Sequence, residues 1–204
     1  MLADLDTADG RIAVGNLLRS AHVFVQGYRP GGLQALGFGA QDAARIRPGI
    51  VYVSLTAYGN SGPWANRRGF DSLVQTATGF NHAEALAAGQ EAPKPLPMQI
   101  LDHASGYLMA FGAQVALARQ ATEGGSWHVR VSLAQTAHWL RGLGRVDGGL
   151  ACPTPGFDGL LETMPSGFGE LVALRHAARF SATPARWTRP SSPPGTHPTV
   201  WPFN

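Results

Sequence analysis

One carboxylate stands apart from the rest of this chain. Asp102 follows a proline-punctuated approach, Pro95-Leu-Pro-Met-Gln-Ile-Leu, and precedes a run with no Asp, Glu, Lys or Arg until Arg119. Apolar residues at Leu108, Met109, Phe111, Val115, Ala116 and Leu117 go round most of a helical circumference, so the run reads as a helix buried on nearly all sides. At the mouth of such a helix, free backbone N–H groups and the positive end of the dipole favour a carboxylate. The plain role is an N-cap, contributing about 1 kcal/mol. The other is to act on a bound ligand, and the neighbouring residues decide between them.

The remaining candidates are cations and aromatics. Arg29 lies among glycines, where a guanidinium could hold an anionic or planar ligand group or simply pair with a local carboxylate. Arg67 and Arg68 could meet a phosphate or solvate a loop, and Tyr58 as a bare aromatic reads as packing. His103 sits beside the carboxylate, but the histidines at 22, 82, 128, 138, 176 and 197 show no metal-ligand spacing, so no metal site is expected. Cys152 is alone, which leaves no disulfide framework and makes a reducing compartment the default.

Composition narrows the function classes. The 204 residues are 44% hydrophobic and only 14% charged, enough for one sizeable core whose surface is covered in part by another subunit or by further chain. Net charge is +3 with Lys94 the one lysine, and the arginines do not cluster as a nucleic-acid stripe would. Scattered arginine suits phosphates or carboxylates on a small ligand. No run of about 18 apolar residues is present, so a cytoplasmic protein without membrane or nucleic-acid partners is expected.

The elements that must position these groups follow from periodicity. A helix over 12–18 precedes a short apolar strand over 22–26, which ends in the Gly- and Pro-rich turn 27–32. A broken helical segment leads to Arg47-Pro-Gly and the clearest strand, 50–55. This order implies parallel strands joined by crossover helices: an open, mostly parallel Rossmann-like α/β sheet. Ligands of such sheets sit beyond the strands' carboxyl ends, here 26–31 and 56–63. A helix is expected from Asp71 to about Ala77, an irregular surface excursion over 79–97, a strand over 127–133 and a helix over 134–143. Residues 1–143 then form the α/β domain and 144–204 an extended Pro/Gly-rich C-terminal arm, with weak helix only over 171–178.

Four pieces resemble the class III CoA-transferases of the CaiB/BaiF type, which include formyl-CoA, carnitine and bile-acid CoA-transferases and alpha-methylacyl-CoA racemases. They are Val25-Gln-Gly-Tyr-Arg29-Pro-Gly, Arg47-Pro-Gly-Ile-Val-Tyr-Val-Ser-Leu-Thr-Ala-Tyr58-Gly-Asn-Ser-Gly-Pro63, Arg68-Gly-Phe-Asp71 with Gln75 and Gly79, and Asp102-x-x-x-Gly106 followed by residues 122–133. The resemblance implies that Asp102 is a nucleophile passing CoA from an acyl-CoA to a carboxylic acid through an aspartyl anhydride and thioester. Gln26, Arg29, Tyr58, Arg68 and Gly106 would line the CoA site, with coenzyme A as substrate and no permanently bound cofactor. An interlocked homodimer, or a missing N-terminal half carrying the first βα unit, is the expected setting.

The chain also departs from the family pattern. Gly27 stands where asparagine is usual and Ala35 where a basic residue often follows, so CoA contacts should be weakened. Phe70 occupies the position of the racemases' histidine, and a phenyl ring cannot carry a proton, which favours transfer over racemisation. A racemase and a catalytically inactive structural half of a larger protein are the alternatives.

Overall fold

The computed structural model describes residues 1–202, and the last two residues of the expected arm lie outside them. Its centre is the strand β2 (Val51–Thr56), which lies between β1 (Val23–Gln26) and β3 (Trp127–Ser132) with both pairings parallel. Val53, for example, lies opposite Val25 on one side and Val129 on the other. A parallel strand covered on both faces needs apolar residues without alternation, and Val-Tyr-Val-Ser-Leu-Thr is such a run. Val51 and Val53 are fully buried against Ala116 of the long helix α6 (Ile100–Glu123). Tyr52 faces the other way, into a core with Leu18, Leu33, Phe38 and Ala43.

That second core is made by the helices α1 (Ala8–Leu18), α2 (Gly32–Ala35) and α3 (Ala40–Ile46). The first begins four residues before the expected helix, because the Thr7 hydroxyl caps it by accepting the Gly10 N–H at 3.0 Å. On the α6 side, α4 (Asp71–Ala77), α5 (Phe80–Ala87) and α7 (Leu133–Gly142) complete the layer. The span of α4 is the expected one. Residues 79–97 are not wholly irregular: α5 occupies the first part, its buried face supplied by Ala85 and by Phe80 packed on the Leu101–Leu133 core.

The expectations for α6 change in two ways. The helix begins at Ile100 with Gln99 as the capping position, so Asp102 is the third helical residue and not an N-cap. Nor is it buried all round, since Tyr107, Phe111 and Val115, spaced by four, are 73%, 67% and 40% exposed. One face packs on the sheet, where Gly112 comes so close to β3 that an added Cβ would lie 2.7 Å from Val129. The opposite face is an apolar stripe open to solvent.

Beyond Gly142 the expected arm is interrupted by an antiparallel hairpin, β4 (Leu161–Ser166) with β5 (Gly169–Leu174). The helix expected over 171–178 is thereby replaced. The cause is the turn Ser166-Gly-Phe-Gly169: Gly169 has φ +100°, and the Ser166 hydroxyl accepts the Phe168 N–H while donating to the Gly169 carbonyl. Residues 175–202 hold no helix or strand. They return to the body, where Trp201 Nε1 donates to the Leu17 carbonyl at 3.2 Å. Among the described residues no helix is long and apolar enough to cross a membrane.

Leu101, fully buried, anchors the first turn of α6 in the core. Leu101→Ala is expected to lower stability by about 2–5 kcal/mol. In urea unfolding this reads as a lower midpoint with an unchanged slope.

Candidate active site

The carboxyl ends of β1 and β2 point at the first turn of α6, and an open cleft of about 360 Å³ lies there. Its walls come from three segments: Tyr28 and Arg29 after β1, Arg68 and Phe70 from the loop after β2, and Asp102 from α6. A volume of this order falls at the lower end of small-molecule sites. A second cleft of about 530 Å³ adjoins it, sharing Tyr28, Arg29, Pro30 and Thr56, and its floor carries Ser54 and His128. There the Ser54 hydroxyl meets His128 Nε2 at 2.9 Å.

The residues singled out from sequence do not all meet. Asp102, Arg29 and Arg68 share the first cleft, and neither arginine is ion-paired among the described residues. Gln26 lines the second cleft, where its side-chain carbonyl accepts the Tyr28 N–H at 2.8 Å and so shapes the loop carrying Arg29. Tyr58 stands behind the first cleft and not in it: half-buried, it packs on the Leu101–Leu133 core and edge-on to Trp64 at 5.0 Å. Arg67 lines the first cleft as well, with its guanidinium carbon 4.8 Å from the centre of the Trp64 ring. Gly106 is exposed one turn beyond Asp102, and a Cβ there would touch nothing within 4 Å.

Two residues of the site appear in the sequence only as parts of a longer motif. Asp71, at 2% exposure, accepts the backbone N–H of Asp102 through Oδ2 at 2.9 Å, and its Oδ1 accepts from Gln75 Nε2. The same Gln75 nitrogen donates to the Met98 carbonyl at 3.1 Å. The available signal was an acid opening a helix with an amide one turn later. The same surroundings act on the carboxyl group of Asp102. Its pKa is raised from the ordinary 3.8, first by burial, then by the negative charge of Asp71, with His103 pulling the other way. Among the described residues no three His, Cys, Asp or Glu gather as a metal site.

The family model described as CoA-transferase family III matches residues 1–147. The chain belongs to CoA-transferase family III. Among curated relatives of this family, the probable fatty acyl-CoA transferase Rv3272 of Mycobacterium tuberculosis is 31% identical over 138 residues, covering 68% of this chain and 34% of its own length. The succinate–glutarate CoA-transferase of Agrobacterium fabrum is 29% identical over 133 residues, covering 65% and 33% respectively. A crystal structure of Rv3272 superposes with a TM-score of 0.64 at 30% identity, covering 69% of this chain and 39% of that one. A CaiB/BaiF family protein from Brucella suis shares the fold at TM-score 0.63 and 23% identity. This family III chain therefore spans about a third of the length of these curated relatives.

A raised carboxyl pKa carries a stability consequence of defined sign. Folding favours protonated Asp102, so this term is fully favourable below the unfolded pKa near 3.8 and is lost as pH rises through the higher folded value. Asp102→Asn is therefore expected to melt at a higher temperature than the wild type at pH 7. The difference should close in melts carried out below pH 3.8.

Proposed function

We propose that this chain carries the nucleophile of a CoA transferase, Asp102, which moves CoA from an acyl-CoA thioester to a carboxylic acid. The observation that carries the reading is that Asp102 opens into one cleft with Arg29 and Arg68, in a chain of family III. An Asp102 oxygen attacks the thioester carbonyl, the C–S bond breaks, and the electron pair leaves on CoA sulfur. Thiolate is a good leaving group because a thiol pKa is roughly 8.5. The product is a mixed anhydride between Asp102 and the acyl group. Thiolate then attacks the aspartyl carbonyl, releasing the donor acid and leaving an aspartyl-CoA thioester. The acceptor carboxylate attacks that thioester to form a new anhydride, and returning thiolate takes the acyl group as product thioester and frees Asp102.

The chain's own residues supply position and charge. Arg29 and Arg68 suit anionic groups, whether phosphates of CoA or the acid's carboxylate. Both proteins named above as relatives are described as CoA or acyl-CoA transferases, and the Agrobacterium protein's name gives succinate and glutarate as its acids. Racemisation finds less support: Phe70, 86% exposed at the cleft wall, offers no atom that can move a proton.

Incubation with an acyl-CoA is expected to add mass to the peptide containing Asp102, and Asp102→Ala to abolish the adduct. Alpha-proton exchange with deuterated water and no adduct would overturn transfer in favour of racemisation, and neither signal would leave a structural role. Arg29→Ala, losing a charge-assisted contact of about 1.5–3 kcal/mol, should raise the KM for acyl-CoA about 10- to 100-fold.

A further inference from the structure

Asp71 is a buried carboxylate that the acyl-transfer steps leave unused. A carboxylate at 2% exposure is costly unless its oxygens are satisfied, and here both are. Their partners have one thing in common: each holds the chain that presents Asp102. Oδ2 takes the N–H of Asp102 itself, and Gln75, held by Oδ1, reaches the Met98 carbonyl just ahead of α6. Asp71 and Gln75 thus form a bracket from α4 to the approach and first turn of α6. A neutral acceptor could tie the same backbone without bringing a second carboxylate up behind the first.

We propose that Asp71 is a positioning residue for acyl transfer: it fixes where the Asp102 carboxylate stands in the cleft and sets a buried negative charge behind it. This role rests on the acyl-transfer reading of Asp102. Its chemical sense lies in where charge travels. Before attack, two carboxylates repel at close quarters. During attack, negative charge leaves Asp102 for the thioester oxygen and then for CoA sulfur, so the repulsion is relieved on the way to the transition state. A more basic nucleophile is also the stronger one within its class. Burial and Asp71 both raise the pKa of Asp102, and His103 on the same helix opposes them. The other charged groups facing Asp102 across the cleft are Arg29, after β1, and Arg67 and Arg68, after β2.

The test is carbon-13 NMR titration of aspartate Cγ in the whole chain, with the Asp102 signal assigned by its loss in Asp102→Asn. In the wild type that signal should titrate above the ordinary 3.8. In Asp71→Asn it should move to lower pH, and the Asp102 amide proton should shift as its acceptor changes. Adduct formation at saturating acyl-CoA should slow about 10²-fold, as expected for a displaced reacting group, and its acid limb should move the same way. Gln75→Leu, which keeps the charge, should slow the reaction without moving that limb to lower pH. A wild-type Asp102 that titrates at the ordinary value overturns the proposal, and this measurement needs no variant to fold. So does an unchanged titration in a folded Asp71→Asn protein. A chain that shows the expected titrations but forms no Asp102 adduct sinks the acyl-transfer reading instead.

Discussion

The burial of β2 on both faces is the constraint from which the site follows. Because Val51 and Val53 must be covered, α6 lies along one face of the sheet, and because Ile50 and Tyr52 must be covered, α1 and α3 lie along the other. With both faces occupied, the open direction is along the strands. Polar and glycine-rich loops gather at their carboxyl ends, and α6 starts beside them. The cleft is thus a result of core packing before it is a result of chemistry.

Within it, two acids are treated differently by their surroundings. Asp71 is enclosed and has backbone and amide donors on both oxygens, whereas Asp102 is exposed to the cleft and gives its N–H to its neighbour. The bond between them gives the first turn of α6 a fixed place, at the cost of crowding like charges.

Strong periodicity made the sheet legible in the sequence. The strands at 22–26, 50–55 and 127–133 emerge within a residue or two: β2 because a strand covered on both faces cannot hide its apolar run, and β3 because Trp127, Val129 and Val131 alternate with His128 and Arg130. The helix at Asp71–Ala77 was equally clear. What failed has local causes. α5 is only eight residues long and leads into a stretch rich in Gly and Pro, whose composition outweighed its short helical signal. The β4–β5 hairpin depends on a serine–glycine turn whose neighbours, Leu171, Val172 and Leu174, fit a helix as readily as a strand. At the site, Asp102, Arg29 and Arg68 could be found because their residue types suggest chemistry. The bracket formed by Asp71 and Gln75 was legible only as an acid and an amide one helical turn apart, since its backbone partners lie 31 and 23 residues away. Tyr58 lay in the right loop but on its inner side, a distinction that sequence spacing does not encode.

The open stripe of Tyr107, Phe111 and Val115 alters what holds α6 in orientation. A helix nearly as oily outside as inside gains little from any one angular setting about its long axis, so hydrophobicity alone sets its roll poorly. Polar pins do that work at three heights: the Asp102 N–H on Asp71, the Ser105 hydroxyl against Thr136 at 2.8 Å, and Gln120 Nε2 on the Gly49 carbonyl at 2.5 Å. Loosening any of them frees a screw-like motion along the sheet. Since successive helical residues are about 100° apart, even a modest roll would carry the carboxyl group off the cleft wall.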